Sequence, residues 1–293
     1  MDASADDFYN KRPVSLQGPG ALNSLVFAGT NKIFNNSPKV DINNLLAEDL
    51  IINDVELSFY QKGMKFFYGE LVHLNVNIFI LDHILGFPFH LFTDPDGSLF
   101  FRMVFENFFY ASLLIVTRIT TDQKGDLFTL PRFRNHIRAV IKNEYQQQFN
   151  ERLKQTKFDK NSRELLDKIR ELRNIRVVHV KEDIAIRQKL PPNIAYSNLK
   201  TIRGNLNDLL GALSFNVEHF MLPIQYHPEV QHPPGYDSRP DIEIILDNIA
   251  KNSPLLNLAE KNPQEWKYRR NGLPGRDLEL LNKYRRKFNL PEI

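Results

Sequence analysis

The chain has no cysteine among its 293 residues. That excludes disulfides, a thiol nucleophile and any thiolate-held zinc or iron–sulfur centre. Glycine is sparse and nowhere gathers into a phosphate-cradling loop, and neither a GxSxG elbow nor an HExxH pair occurs. The longest uninterrupted apolar stretch, around Phe108 to Val116, is too short to cross a bilayer, so no membrane partner is expected. Met1 is followed by Asp2, Asp6 and Asp7, whereas a secretory signal needs a basic start and an apolar run. A reducing, cytoplasmic compartment is the expectation. No segment of strand period and no repeat of 20–50 residues is present.

What remains is the composition of an ordinary globular chain. It is 42% apolar and 25% charged at 34.2 kDa, enough for one large domain or two modest ones. The net charge of +3 is unevenly spread. Residues 1–60 carry 4 basic and 8 acidic groups, residues 130–190 carry 16 and 8, and residues 261–293 carry 9 and 4. Such basic blocks read either as solvated helix faces or as the footprint of a nucleic acid, whose phosphates draw Lys and Arg.

Residues 1–40 hold Pro13, Gly18, Pro19, Gly20 and Pro38 without sustained periodicity and read as weakly ordered. From Asn43 to about Gln61, Leu45, Leu46, Leu50, Ile51, Val55 and Leu57 recur at helical spacing. Met64 to Leu85 reads as a second, more apolar helix. Ser98 to Thr120 is the third, with Phe100, Phe101, Val104, Phe105, Phe108, Phe109, Leu113, Val116 and Ile119 over most of its circumference. These aromatics are expected to pack a core rather than stack on a cofactor. Thr129 before Pro131 starts a fourth helix running to about Phe149. Ser162 reads as the N-cap of a fifth, with Leu165, Leu166, Ile169 and Leu172 on one face. Pro191 and Pro192 interrupt the chain before a sixth, Ser197 to Met221, with Leu199, Ile202, Leu206, Leu209, Leu210 and Leu213 inward. The fold class is all-α: a helical bundle over 43–222 and an appendage over 224–293 that either packs on the bundle or docks a partner. The appendage opens with a proline-rich linker and continues in short helices, roughly 241–250 and 276–288, around Trp266 and two basic clusters.

His83 and His90, with Asp82 nearby, flank a turn, and His227 and His232 lie in the proline-rich segment. Neither spacing demands a metal, and no metal or other cofactor is expected. One constellation carries chemistry: Arg173-Asn174-Ile175-Arg176-Val177-Val178-His179. It resembles the signature of the HEPN superfamily, an Arg-polar pair followed four to six residues later by His, with Arg173, Asn174 and His179 matching position by position. The order of an apolar helix (Phe105 to Arg118), this element and a proline-interrupted loop is similar to the abortive-infection-associated branch. The resemblance covers about 43–222. Two positions depart from the branch: Val178 stands where a small residue is usual, and Lys181 where an acid is, the nearest acids being Glu182 and Asp183.

The resemblance implies a HEPN-like bundle, a homodimer, and metal-independent RNA cleavage leaving a 2′,3′-cyclic phosphate, in antiviral defence or as a toxin. His is the side chain whose ordinary pKa lies near neutrality, so His179 is the natural general acid or base. Arg173 would grip the phosphate by two donors and stabilise its growing charge. Asn174 would orient the histidine or a phosphate oxygen. Arg176 and Lys181 are further RNA ligands. On a regular helix Arg173 and His179 stand ~120° apart and ~9 Å along the axis. Convergence on one phosphate then needs either a distorted helix or a second protomer across a two-fold interface. The rival reading is a non-catalytic RNA-binding or scaffold subunit. A nuclease of this kind also implies restraint by an antitoxin, sensor or partner subunit, which 224–293 would dock.

Overall fold

The longest element explains the rest. Helix α1 runs from Asp54 to Gly86, 33 residues, or ~50 Å at 1.5 Å per residue. Its buried positions Tyr60, Met64, Phe67, Leu71, Leu74, Ile78 and Leu81 advance in alternating steps of four and three. That is the seam spacing that lets one helix lie along another at a shallow angle. The partner is α2, Pro95–Thr120, which buries Leu113, Val116 and Ile119. The Asn53 side chain accepts from the Glu56 N–H and caps the start of α1.

A computed structural model describes residues 40–93, 95–121, 128–174, 193–215 and 239–293. These belong to one compact unit, Val40–Ile293. Residues 1–39 of the expected weakly ordered segment 1–40, the loop with Pro191 and Pro192, and most of the proline-rich linker lie outside the described residues. Around the α1–α2 pair stand α3 (Leu130–Val140), α4 (Gln146–Thr156), α5 (Phe158–Leu172) and α6 (Tyr196–Leu213). Then come α7 (Asp241–Asn252), α8 (Pro263–Arg270) and α9 (Gly275–Lys287). Among the described residues there is no strand, and one isolated bridge joins Ile51 to Ile141. The all-α expectation holds at that level.

Several boundaries differ from those the sequence predicts. The two helices expected over 43–61 and 64–85 are short turns at Ile42–Asn44 and Ala47–Leu50 followed by the single α1. Gly63 belongs to its interior: the space a side chain would take is filled by the Phe133 ring of α3, under 3.0 Å from where a Cβ would stand. The fourth predicted helix is two, because the chain extends at Ile141 before α4. Ser162 is not an N-cap but a buried residue within α5, receiving a hydrogen bond from Asn205 Nδ2 at 3.0 Å. The corner that starts α5 is instead made by Lys157 in the left-handed region, φ 50°. Its own Cβ opposes that conformation, so no glycine or proline signals it. Phe100 of α2 faces solvent rather than the core.

Gly97–Thr120 is helical throughout. Its 24 residues contain an 18-residue window of mean hydropathy 1.6, so by length and composition alone the helix could cross a membrane, contrary to the reading from the uninterrupted run. In this fold its second half is core, while Leu99, Phe100, Met103 and Leu114 are exposed.

The C-terminus of α6 is held by two side chains. Tyr60 Oη donates to Leu213 O at 3.0 Å and accepts from Phe215 N–H at 3.3 Å. Arg152 Nη2 donates to Gly211 O and Ser214 O, both at 2.8 Å, placing a cation at a negative helix end. Burial pushes the Tyr60 hydroxyl up to about 12, since its neutral form alone is tolerated there.

Gly63→Ala tests the α1–α3 contact. Alanine favours helix by ~1 kcal/mol over glycine, but overpacking against Phe133 costs ~1–3 kcal/mol. The expected result is a lower urea midpoint, restored by adding Phe133→Leu. A stabilised single variant would mean that Phe133 yields freely and the close approach is not required.

Candidate functional site

Helix α5 is strongly amphipathic, with Phe158, Ile169 and Leu172 buried and charged residues outward. The regular helix ends at Leu172, and Arg173 and Asn174 continue it as a π turn. A π turn widens the helix and commonly marks a site where a side chain must be re-aimed. Here it falls on the first two residues of the RNxxxxH element. Both side chains are half-buried, and Arg173 Nε donates to Asn174 Oδ1 at 2.9 Å while Nη2 reaches the same oxygen. Asn174 therefore fixes the guanidinium plane. Among the described residues two of its five N–H donors are used, which leaves three for an anion.

Of the residues singled out from sequence, the structure brings Arg173 and Asn174 together. Arg176, His179 and Lys181 lie outside the described residues, as do His227 and His232. The geometric argument for a second protomer assumed a regular helix from 173 to 179. Arg173 and Asn174 form a π turn, and 175–179 lie outside the described residues.

His83 and His90 take structural partners far away in sequence. His83 Nδ1 stands 2.8 Å from Phe79 O, and its Nε2 3.1 Å from Glu243 Oε1. His90 Nε2 stands 3.2 Å from Asp277 Oδ1. With Glu243, His83 lines a cleft of ≈ 230 Å³ that includes Gly86, Asp247, Tyr284 and Lys287. Asp247 is nearly buried, accepts from Lys287 Nζ at 2.6 Å and pairs with Arg239. Burial, and then the Asp247 charge, raise the Tyr284 hydroxyl above its ordinary range. Sequence reading missed this cleft because 160 residues separate His83 from Glu243, and no local spacing announces the pair. Among the described residues no group of three or more His, Asp or Glu side chains is placed to hold a metal ion.

The C-terminal basic clusters are partly internal. Arg285 is fully buried. It donates from Nε to Pro291 O at 2.6 Å, from Nη1 to Leu256 O and Glu260 Oε2, and from Nη2 to Glu260 Oε1. Arg269, Arg286 and Lys287 pair with Glu265, Glu292 and Asp247. Trp266 is buried beside Leu246, Ala250, Leu256 and Leu281 in a second apolar core, which also takes Ile84, Phe87, Leu91, Phe92 and Phe101 from the bundle end. Of the two expectations for the appendage, packing on the bundle or docking a partner, the structure shows the first: the C-terminal helices pack onto the bundle through that core.

These features define an all-α protein: a helical bundle built on one long central helix, with a C-terminal helical unit sharing its second core. Compared with protein-family models, curated proteins and solved structures, the chain matches none.

The Arg285–Glu260 pair has a pH signature. Hydrogen bonding from Arg285 holds the Glu260 carboxyl below its ordinary range. A depressed folded-state value contributes stability above the unfolded-state pKa and loses it as pH falls through the folded value. The gap in melting temperature between wild type and Glu260→Gln is therefore expected to be full at neutral pH and to close on acidification. A gap independent of pH would show that Arg285 is held by Leu256 and Pro291 alone.

Proposed function

We propose that the chain is a metal-independent ribonuclease of the HEPN type, acting in antiviral defence or as a toxin. Arg173 would bind and stabilise the phosphate, Asn174 would orient Arg173, and His179 would move the proton as general acid or base. The observation that carries this reading is the π turn at Arg173 and Asn174, with the guanidinium held by the asparagine oxygen and three donors to spare. An arginine fixed in plane at a helix end is suited to two-pronged recognition of a phosphate. Arg176 and Lys181 would add RNA contacts. The two-fold dimer belongs to the proposal on the strength of the resemblance alone, and a restraining partner would meet exposed groups of the C-terminal unit such as Lys267, Tyr268 and Arg270.

The rival, an RNA-binding subunit without catalysis, draws on a specific observation: Lys154, Lys157, Lys160 and Arg163 are exposed cations without an ion pair among the described residues.

Purified protein incubated with total RNA in excess EDTA separates the two. Cleavage is expected to persist in chelator and to leave cyclic phosphate ends. His179→Ala and Arg173→Ala are expected to lower the rate ~10²–10⁴-fold with unchanged melting. Cleavage that disappears with EDTA and returns with magnesium, or variants as active as wild type, would overturn the ribonuclease mechanism.

A further inference from the structure

Among the described residues of 130–190, which run to Asn174, the basic groups are not evenly exposed. Between Arg152 and Arg163 the sequence has five basic side chains and one acid, Asp159. Arg152 turns inward onto the α6 carbonyls. Asp159 is taken by Arg134, whose Nη1 lies 2.9 Å from each carboxylate oxygen. Lys154, Lys157, Lys160 and Arg163 are left exposed on the tight α4–α5 corner, with no ion pair among the described residues. Beyond the corner, α5 pairs Lys168 with Glu164 and Arg170 with Asp167, and Glu171 adds a further exposed acid. Like charges on adjacent turns repel.

The same helix links this corner to the motif. At ~100° per residue Arg163 and Arg170 stand within ~20° of one another and Lys160 within ~60°, on the side away from buried Ile169 and Leu172. From Lys160 to Arg173 the axial distance is ~20 Å, and from Arg163 ~15 Å. This is about four to six nucleotides of a strand at ~3.4 Å each. The corner also lacks what a membrane surface needs. Phe158 is buried, and the other exposed residues are Gln155, Asp159 and Asn161, so there is no apolar group to insert.

The geometry points to the α4–α5 corner as the docking surface for the sugar–phosphate backbone of an RNA strand, with Arg173 at the other end of the same helix. Lys154, Lys157, Lys160 and Arg163 contact successive phosphates there without reading bases. The ligand class rests on the ribonuclease reading, but the surface does not require catalysis.

The test uses a fluorescent 2′-O-methyl RNA of about twenty nucleotides, which has no 2′-hydroxyl and so is not cut, and reads anisotropy with the full chain over a salt series. The variant carries Lys154→Gln, Lys160→Gln, Arg163→Gln and Lys157→Asn, asparagine being chosen because it tolerates the left-handed corner. Its melting is compared with wild type first. At ~0.7 per contact for a single strand, four lost contacts should flatten the slope of log K against log salt by about 3 and weaken binding at least about tenfold at low salt. Neutralising Lys267, Arg270, Arg276 and Lys283 instead should leave the slope unchanged. A corner variant with wild-type slope, or wild type that ignores RNA but binds phosphatidylserine vesicles through the same four residues, overturns the proposal. Corner-dependent binding by a chain that cuts no natural RNA upholds this surface and removes the ribonuclease reading alone.

Discussion

The structure depends on burying the four–three stripe of α1. Tyr60, Met64, Phe67, Leu71, Leu74, Ile78 and Leu81 are all but withdrawn from water, each contributing ~1.5–3 kcal/mol before entropy is charged against it. Because the stripe is continuous, the helix cannot break in the middle without opening the core on both sides of the break. Near its start Tyr60 reaches across to close α6, and at its far end Ile84 enters the second core with Trp266 and Leu281. One helix therefore belongs to both cores, which is why the C-terminal unit packs on the bundle although a proline-rich linker precedes it in the sequence.

Periodicity made the helical class legible, and it picked the inward residues of α6 correctly, Leu199 through Leu213. It failed where one residue's role depends on a distant neighbour. Gly63 reads as punctuation until Phe133 is seen filling its space. Ser162 reads as a cap until Asn205 is seen bonding it inside the bundle. Lys157 carries no turn signal at all, since its left-handed backbone is imposed by two helices that start and end on the same residue. The candidate site was legible as a motif because Arg173 and Asn174 are adjacent. The His83–Glu243 cleft was not, because its halves meet only after the chain has folded.

Charge follows the same rule. A basic cluster in sequence does not by itself describe a surface: Arg285 opens the cluster Arg285-Arg286-Lys287 and is fully buried, the largest such side chain among the described residues. A buried guanidinium is tolerable only when its donors are nearly all taken, and Glu260 with the Leu256 and Pro291 carbonyls takes four of the bonds. This arginine ties the last residues of the chain to the loop after α7. Across the seam with the bundle, the ion pairs among described residues are His83–Glu243 and His90–Asp277, so the polar links of that seam involve imidazoles while its strength comes from the apolar core.

Helix α5 combines two demands that oppose each other. Its inner face must be regular to bury Phe158, Ile169 and Leu172, and its C-terminal end must depart from regularity to hold Arg173 against Asn174. The helix meets both by keeping ordinary pitch for fifteen residues and widening only after Leu172, its last core contact. Rigidity up to that point gives the π turn a fixed base. A side chain placed on such a base keeps its direction without further packing of its own, which is the condition a half-buried guanidinium at this position meets. The strained corner at Lys157 fixes the other end of the same helix, so both ends of α5 have irregular backbone while the stretch between them is core-bound.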